Sequence, residues 1–492
     1  MTKDVIVNEG YRKIFLLREK GIEPFPRRFK TTHMAAQALL QPEGSRVIVA
    51  GRIVLMRVMG KASFAHVKDS TGRIQIYIKR DNIGGENYEV FRKLLNVGDF
   101  VGVEGELFVT RTGEKTINVK RLVVLSKSVR PMPEKWHGLT DPELRYRERY
   151  LDIVSNDEVR NIFIVRSRII AAMRQVLDGR GYFEVETPIL CSQAGGASAR
   201  PFFTYHNVYK KELALRIATE LYLKKLIIGG FDGVYEIGRV FRNEGIDTRH
   251  NPEFTMLEAY KAYADYNDMA DLLEDIFYAC CRVLNIESVI YDGKKVNLKV
   301  PYRRIYLPDE WKSECKEDIH EVLKGKSFDR EKLEKLALRL NVEYSRELPS
   351  AKIFERIFEH KILRKFNEPV FVRDYPTAIT PLAKCKEGDE ALVERFEFFA
   401  GGEEIANAYT ELNDPQDQKE RLQEQMRQRN EERNQETDIL DKDFIEAMEY
   451  GMPPTGGIGI GIDRMTMLLT GKSSIREVIL FPLLKPTTSD EI

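Results

Sequence analysis

The sequence predicts an α+β protein of two domains, the first of them a small β-barrel. The chain has 492 residues and a mass of 57.0 kDa, which is too long for one ordinary domain. Hydrophobic residues make up 42% of it, enough for two cores. Five segments with strand-like patterns are grouped near the N-terminus, and segments with helical patterns, at about 308–340 and after Asp414, lie in the remainder.

The five strand-like segments follow an N-terminal helical pattern at about 9–20. They cover residues 46–58, 63–69, 73–79, 100–109 and 115–124. A short helical pattern at 89–95 separates the third from the fourth. Three strands, a helix and two strands is the order of an OB-fold barrel, and such barrels bind single-stranded nucleic acid by aromatic stacking on one face.

The domain boundaries follow from these patterns. We expect a helical segment over 1–44, the barrel over 45–128, a linker over 129–150 that contains Pro131 and Pro133, and a second domain over 151–492. We predict a helical insert near 308–340 in the second domain. After it, Asp414 and Pro415 begin a helix that runs to about residue 436 and is polar on every side, which favours a solvated arm over an RNA contact.

Charge and composition narrow the class of protein. Lys and Arg together number 77, as do Asp and Glu, so a nucleic-acid partner has to be met by local patches. The sequence contains no run of about 20 apolar residues and no signal peptide at its start, which predicts a cytoplasmic protein without membrane contact. Its five cysteines have no C-x-x-C spacing, so we expect neither structural zinc nor a disulfide framework.

The segment FRNE at 241–244, with His250 and Phe254 after it, suits an adenosine phosphate. The guanidinium of Arg242 provides a permanently charged fork for phosphoryl oxygens, and Phe254 provides a flat apolar ring for a base. His250 lies in a polar loop where it can meet the outer phosphates. The alternative for this segment alone is a strand that ends in a charged loop.

A second segment, GGIGIGIDR at 456–464, has glycine at every other position. With a strand period of two, its isoleucines share one face and its glycines leave the other face bare. Alternating glycines indicate that a bulky group such as a nucleotide approaches the backbone closely. Arg464 would then begin the following helix beside that face. A dinucleotide-binding motif is excluded because no G-x-G-x-x-G turn with a downstream acid is present.

These two segments and RGYFEVETP at 180–188 resemble the three signature motifs of class II aminoacyl-tRNA synthetases, in the same order. Within that class, GGA at 195–197, ATELYLK at 218–224, HNPEFTM at 250–256 and GEEIAN at 402–407 resemble the lysyl-tRNA synthetases of the bacterial type. The resemblance covers nearly the whole chain. It implies a catalytic domain built on an antiparallel sheet flanked by helices, and it implies the activation of L-lysine with ATP followed by its transfer to tRNA(Lys).

The resemblance also assigns the residues that hold ATP. Arg242 would bridge the amino-acid carboxylate and the α-phosphate, and Arg464 would stack on the adenine, so these two are the expected catalytic residues. The expected ATP-binding set is Arg242, Glu244, His250, Phe254, Glu397 and Arg464. No general base is required, because the attacking carboxylate is already ionised at neutral pH.

Magnesium is the expected cofactor, with Glu397 and Glu404 as its protein ligands. Mg²⁺ takes hard oxygen ligands, usually one or two carboxylates, and leaves its other positions to water and phosphate. Gly401 and Gly402 lie between the two acids and predict a turn that folds them together. The alternative places Glu404, Asn407 and Glu411 on one solvent-exposed helix face.

The choice of amino acid depends on pocket charge. A lysine ammonium taken out of water has to meet a carboxylate. The resemblance assigns Glu411 and Tyr260 to the lysine side chain and Gly196, Glu220 and Asn407 to its α-amino end or the adjacent pocket, and Glu258 is a further acid available for the ammonium. The expected lysine-binding set is Gly196, Glu220, Glu258, Tyr260, Asn407 and Glu411. Thr219 departs from the pattern, since the resemblance leads us to expect proline there.

Two further roles are implied by the resemblance. Arg57, Phe64, Gln75 and Glu114 would read the anticodon, although Phe64 considered alone could equally belong to the barrel core. Pro188 would lie at the interface of a homodimer.

Two other functions remain open at this point. One is an aspartyl- or asparaginyl-tRNA synthetase, which would be expected to place a cation or an amide donor against its substrate. The other is a catalytically silent, synthetase-like regulatory protein.

Overall fold

The computed structural model describes residues 3–132, 139–193, 195–197, 199–345, 347–433 and 441–486. The chain divides into two compact units, Met1–Leu139 and Thr140–Ile492. Pro133 of the predicted linker and the predicted end of the polar helix near 436 lie outside the described residues.

The first unit is a closed barrel with short helices. Its elements are α1 (Lys3–Glu19), α2 (Ala35–Leu40), β1 (Arg46–Met59), β2 (Ala62–Lys68), β3 (Arg73–Lys79), α3 (Arg80–Ile83), α4 (Gly85–Leu94), β4 (Phe100–Val109) and β5 (Lys115–Ser126). The strand order is β1-β2-β3-β5-β4, and β3 and β5 run parallel. Alternate residues of β2 and β3 point into the barrel and are buried, because side chains on a strand alternate between its faces. The predicted OB-fold is confirmed.

The second unit contains the remaining helices and strands. In its first half these are α5 (Pro142–Arg147), α6 (Arg149–Ser155), α7 (Asp157–Gly179), β6 (Phe183–Glu184), β7 (Leu190–Cys191), β8 (Phe203–His206), β9 (Lys211–Leu215), α8 (Glu220–Ile228), β10 (Gly233–Phe241), β11 (Glu253–Ala262), α9 (Tyr266–Leu284), β12 (Ser288–Tyr291), β13 (Lys294–Asn297) and β14 (Arg303–Tyr306). In its second half these are α10 (Leu307–Cys315), β15 (Leu323–Lys324), β16 (Ser327–Phe328), α11 (Arg330–Arg339), α12 (Ser350–Lys361), β17 (Val370–Pro376), β18 (Cys385–Lys386), β19 (Asp389–Ala400), β20 (Glu403–Thr410), α13 (Pro415–Arg433), α14 (Lys442–Glu449), β21 (Thr455–Gly461), α15 (Ile462–Thr470) and α16 (Ile475–Val478).

A large sheet organises this unit. Its strand order is β14-β17-β19-β20-β21-β11-β10-β6, with β18 beside β19. The pairs are antiparallel except β14 with β17 and β10 with β6 at the two edges. Residues from α7, α9 and α15 join sheet residues in one buried hydrophobic cluster. The expected α+β class, with an antiparallel sheet flanked by helices, is confirmed.

The register of three central strands determines where the site forms. Gly459 of β21 lies opposite Glu258 of β11 on one side and opposite Asn407 of β20 on the other. Gly457 lies in the same way between Tyr260 and Tyr409. Residues directly opposite on neighbouring strands point to the same face of the sheet. The glycine strand is therefore a floor without side chains between two strands that carry polar ones.

Two predicted elements differ in part from the structure. The insert near 308–340 is not purely helical, because β15 and β16 form a hairpin between its helices. The polar helix begins as predicted, with the Asp414 carboxylate accepting hydrogen bonds from the first turn of α13. Its start is not a solvated arm, however. Gln418 and Arg421 are buried and donate hydrogen bonds to the carbonyls of Pro381 and Ala383.

None of the described helices is long and apolar enough to cross a membrane.

Candidate active site

The floor of the glycine strand lies in a cavity of about 420 Å³. The structure brings almost all of the predicted substrate-binding residues to its wall. Those that line it are Gly196, Glu220, Arg242, Glu244, His250, Phe254, Glu258, Tyr260, Glu404, Asn407, Glu411 and Arg464. Glu397 lies one strand further out, opposite Asn407.

The glycines are required for two different reasons. A Cβ on Gly457 would collide with the Glu411 carboxylate and with the ring of Tyr260, which would be 2.5 Å away. A Cβ on Gly461 would meet nothing nearer than 3.7 Å. The close approach predicted for this strand is therefore made at Gly457 by protein side chains, whereas Gly459 and Gly461 border the open cavity.

Arg242 follows the end of β10 and lies in the middle of the cavity wall. Its guanidinium carbon is 5.1 Å from the centre of the Phe254 ring, and its Nε donates a hydrogen bond to the Ile217 carbonyl at 3.4 Å. Burial lowers the pKa of Arg242, and the acids Glu244 and Glu258 oppose that shift. An arginine remains charged under such conditions. It is thus a fixed cation partly shielded from water.

The loop after Arg242 supplies the outer rim of the cavity. Glu244 and His250 are both exposed there. The imidazole Nδ1 of His250 lies 2.9 Å from an Asp247 carboxylate oxygen, which orients the ring. Both residues are accessible to a ligand that enters from solvent.

Arg464 lies at the other end of the cavity, in the first turn of α15. Its Nη1 donates hydrogen bonds to the Glu404 carbonyl at 2.9 Å and to the Glu404 carboxylate at 3.3 Å. The neighbouring Asp463 is buried, accepts from the Thr255 amide at 2.6 Å and pairs with Arg166 at 2.6 Å. Asp463 therefore ties α15 to both β11 and α7. The motif identified Arg464, but no pattern in the sequence indicated that Asp463 holds it.

Glu397 and Glu404 lie on the strands on either side of a tight turn. Gly401 and Gly402 form that turn with φ of 63° and 80°, a backbone conformation that glycine adopts without strain. The alternative in which Glu404 lies on a solvated helix face is wrong, since β20 carries it.

Glu397 is held by two neighbours that the sequence did not indicate. It accepts a hydrogen bond from the Tyr375 hydroxyl at 2.9 Å and pairs with Arg395. Burial raises the pKa of Glu397 to about 7; Arg395 opposes this shift and the nearby Glu404 adds to it. A buried carboxylate and a partly exposed one that repel each other are a donor set suited to a hard divalent cation. Among the described residues, no group of three or more His, Cys, Asp or Glu side chains is arranged to bind a metal.

The end of the cavity beneath Gly457 is acidic. Glu220, Glu258 and Glu411 are all buried there. Burial raises the pKa of Glu258 to about 7, and the Glu220 carboxylate adds to that shift. The Tyr409 hydroxyl lies 2.9 Å from Glu220, and the amide of Thr219 donates to Glu258 at 3.3 Å. Burial also raises the pKa of Glu411, and a cluster of buried carboxylates favours the binding of a cation.

Gly196 forms part of the same wall. A Cβ at this position would lie 3.3 Å from the Cβ atoms of Ala218 and Glu220, and its φ of 84° is in the region that favours glycine. On the opposite side, Asn407 accepts a hydrogen bond from Arg395 Nε at 2.9 Å. That bond fixes the orientation of the Asn407 amide.

Lys224 is the main residue that sequence reasoning missed. Its Nζ lies 2.5 Å from a Glu220 oxygen and also contacts Glu411, and its side chain is 0% exposed. The spacing of the buried face of α8 could have revealed it. Glu220, Leu223, Lys224 and Ile227 recur at three and four residues, the pattern of an inward-facing stripe.

The barrel presents a separate polar and aromatic face. The Glu114 carboxylate accepts from Gln75 at 2.7 Å and lies 2.8 Å from the His66 ring nitrogen. Phe64 is half-buried beside Tyr77, with ring centres 4.8 Å apart, so it does not belong to the barrel core. Arg57 is exposed and lies directly opposite Phe64. All four predicted residues therefore lie near one another, and His66 and Tyr77 are additions that the sequence did not indicate.

Pro188 is exposed and precedes a small sheet with an unusual surface. The strand order of that sheet is β7-β9-β8. Large hydrophobic side chains on and beside it are solvent-exposed in the single chain: Ile189, Leu190, Phe203, Tyr205, Val208 and Tyr209. Several large apolar side chains exposed on one small sheet are typical of an interaction site.

Comparison with known proteins agrees with this architecture. A family model described as tRNA synthetases class II (D, K and N) matches residues 141–485, and a model described as OB-fold nucleic acid binding domain matches residues 47–125. The fold and the site thus define a class II tRNA synthetase.

Curated relatives narrow the assignment. The chain is 49% identical to the lysine-tRNA ligase of Thermoanaerobacter pseudethanolicus over 479 residues, which is 96% of this chain and 95% of that protein. It is 48% identical to the lysine-tRNA ligase of Enterococcus faecalis over 484 residues, 96% of each chain. The lysine-tRNA ligase of Pelotomaculum thermopropionicum is 49% identical over 478 residues, 96% of this chain and 94% of that one. The chain belongs to the lysine-tRNA ligase family.

Proposed function

We propose that this enzyme activates L-lysine with ATP to lysyl-adenylate and pyrophosphate, and then transfers the lysine to the 3′ end of tRNA(Lys) for protein synthesis. The observation that carries the proposal is the polarity of one cavity. Buried carboxylates lie at one end, Arg242 lies in the middle, and Arg464 with the polar rim lies at the other. An amino acid with a cationic side chain and a nucleotide can therefore lie end to end, with their reacting groups beside Arg242.

Glu411 is the strongest candidate for the side-chain ammonium. It is 1% exposed, and its Oε1 has no hydrogen-bond partner among the described residues, while Oε2 contacts Lys224. Oε1 is also the atom that a Cβ on Gly457 would strike. An unpaired buried carboxylate oxygen is costly, so an ammonium placed there would be bound strongly. Tyr260 would form the side of that subsite.

The α-amino end of the substrate would meet Glu220, Asn407 and the backbone at Gly196. Glu258 lies opposite Gly459, between this subsite and Arg242. In an aspartyl or asparaginyl enzyme the pocket would be expected to carry a cation or an amide donor instead. The described pocket is acidic, which supports lysine.

The chemistry requires charge neutralisation more than proton transfer. The attacking carboxylate and the α-phosphate are both anionic, and Arg242 would hold them together by donating to each. Holding the two groups in line converts the reaction into an effectively unimolecular step. Phe254 and Arg464 would enclose the adenine, while Glu244 and His250 would position the nucleotide at the rim.

Glu397 and Glu404 would hold Mg²⁺. Their geometry fits because both are carboxylates on adjacent strands and because the pKa of Glu397 is raised by burial, with Glu404 contributing. A bound Mg²⁺ would neutralise charge on the phosphates.

The anticodon would bind to the barrel face that carries Arg57, Phe64, Gln75 and Glu114. An outward aromatic pair beside hydrogen-bonding side chains is the arrangement by which OB-folds hold single-stranded bases. We also propose that the enzyme works in the cytoplasm, where its tRNA product is consumed.

A homodimer is proposed from the exposed apolar surface beside Pro188. Leu190 is 49% exposed and Phe203 is 63% exposed. A second copy would cover this surface by twofold packing, since an isologous contact uses the same patch on both chains. Sedimentation of the purified protein at micromolar concentration should give twice the chain mass.

ATP-pyrophosphate exchange tests the proposed reaction. Exchange is expected with L-lysine and not with L-aspartate or L-asparagine. Exchange with aspartate or asparagine alone would instead assign the chain to one of those synthetases. No exchange with any of the three would favour the catalytically silent protein.

A further inference from the structure

Lys224 is a charged group inside the acidic end of the cavity. It lies in the first turns of α8, and its Nζ is held between Glu220 of the same helix and Glu411 at the end of β20. Nearby rings also enclose it, with the centres of Tyr260, Tyr409 and Phe444 at 6.0, 5.6 and 5.9 Å. A residue fixed by an i,i+4 contact and by full burial is a permanent part of the pocket.

The charges of the pocket can be compared with those of the ligand. Three buried carboxylates, Glu220, Glu258 and Glu411, share this end of the cavity with one buried ammonium, Lys224, which contacts Glu220 and Glu411. The net charge of these four groups is minus two when the acids are ionised, and L-lysine has two ammonium groups that would neutralise it. Arg242 remains for the carboxylate of the ligand. The pocket and its ligand would then be electrically balanced only because Lys224 is present.

We propose that Lys224 is a positioning residue that determines specificity by matching the charge of the pocket to the two ammonium groups of L-lysine. The inference rests on the proposed function, since it concerns the same site. Lys224 cancels one carboxylate, keeps the Glu411 Oε2 oxygen engaged, and leaves Oε1 for the ligand. It does not touch the reacting atoms.

The energetics follow from burial. Without Lys224, three acids would lie near one another in a place where ionised carboxylates are already disfavoured, and the pKa of at least one of them would rise further. A protonated Glu411 would donate a hydrogen bond where the ligand ammonium needs an acceptor. Glu220, Glu411, Tyr260 and Tyr409 face Lys224 in this balance, and Glu258 acts on it through Glu411.

The test compares ligands that differ in one charge. Calorimetry at pH 8, above the pKa of about 7 that burial gives Glu258, would measure the binding of L-lysine and of L-norleucine, which has an uncharged side chain of similar length. For Lys224→Met we expect the ratio of lysine to norleucine affinity to fall at least tenfold. Glu220→Gln should also lower the ratio of lysine to norleucine affinity, because the pocket then has one negative charge too few for the two ammonium groups of lysine. The combined Glu220→Gln, Lys224→Met variant should restore the ratio at least threefold above either single variant.

Several controls make the result decisive. Lys225→Met changes the adjacent lysine, which contacts Asp443 away from the acids, and should leave the ratio unchanged. Circular dichroism shows whether Lys224→Met folds. If it does not, the combined variant is compared with Glu220→Gln alone, because the combined variant leaves neither Glu220 nor Lys224 as an unpaired buried charge. Equal weakening of both ligands, or a combined variant with a ratio below that of Glu220→Gln, would overturn the proposal. Because calorimetry needs no catalysis, a wild-type protein that binds lysine but lacks exchange would refute the proposed function alone.

Discussion

The backbone amide of Thr219 donates a hydrogen bond to the carboxylate of Glu258 at 3.3 Å. Thr219 stands where the resemblance to the family leads to proline, and proline has no amide hydrogen to donate. Its φ of −103° is also outside the range that a proline ring permits. The hydrogen bond to Glu258 therefore exists only because position 219 is threonine and not the expected proline.

Replacing Thr219 by proline tests this contact. We expect Thr219→Pro to raise the KM for lysine about tenfold or more, because a hydrogen bond to a charged group is worth about 1.5 to 3 kcal/mol. The KM for ATP should change little. Thr219→Ser is the matched control, since it keeps both the backbone amide and a side-chain hydroxyl, the two groups of Thr219 that lower the pKa of Glu258. Similar kinetics for the two variants would show that the amide is unimportant.

Glu411→Gln tests the ammonium subsite. The amide keeps the shape of the carboxylate but removes the charge that a buried ammonium requires. We expect the KM for lysine in ATP-pyrophosphate exchange to rise by about 100-fold or more, with the KM for ATP nearly unchanged. Glu420→Gln, at an exposed position on α13, should have no effect. Equal loss of lysine and ATP binding would identify Glu411 as a structural residue instead.

The acidic pocket predicts a pH dependence with a definite sign. The pKa of Glu258 in the folded protein is about 7, above its ordinary value of 4.5, so the folded state holds the proton more tightly than the unfolded state does. Its contribution to stability is therefore full below pH 4.5 and is lost as pH rises through 7. Conversely, lysine binding needs the ionised form and should weaken as pH falls from 8 to 6.

Glu258→Gln separates these two effects. Urea unfolding at several pH values would measure the free energy of unfolding. Between pH 5 and 7 it should fall less steeply in Glu258→Gln than in the wild type, because the variant has no carboxyl at this position to ionise. Glu287→Gln, which changes an acid 75% exposed in its side chain, should keep the wild-type profile. An unchanged profile in Glu258→Gln would mean that this carboxyl does not titrate in that range.

The barrel face should act on tRNA and not on activation. Phe64→Ala removes a ring available for base stacking, a contact worth about 1 to 3 kcal/mol per base. We expect the KM for tRNA(Lys) in aminoacylation to rise about 5- to 100-fold while ATP-pyrophosphate exchange is unchanged. Phe25→Ala, also at an exposed phenylalanine of the first unit, is the control. A loss of exchange in Phe64→Ala would contradict separate roles for the two units.

The sequence predicted the site where short motifs carry the chemistry. Arg242 and Arg464 were found because each lies in a short segment that suits a nucleotide and that resembles a signature motif of a known family. Lys224 was not found, because a lysine four residues after a glutamate is usually an exposed helix pair. Its burial depends on β20 and α14, which come about 190 to 220 residues later in the chain. Tyr375 was missed for the same reason, since only the pairing of β17 with β19 brings it to Glu397. Arg395 lies two residues before Glu397 on β19, on the same face of the strand, and strand alternation could have indicated it.

Asp463 joins segments that are far apart in the order of synthesis. Its partners Thr255 and Arg166 precede it by 208 and 297 residues. A ribosome-bound chain therefore completes most of the sheet before Asp463 can fix Arg464 in place, and an unfinished chain lacks the anchored arginine proposed to cover the adenine. We expect nascent chains that end before residue 463 to show no ATP-pyrophosphate exchange, so that catalytic competence arises only in the last steps of synthesis.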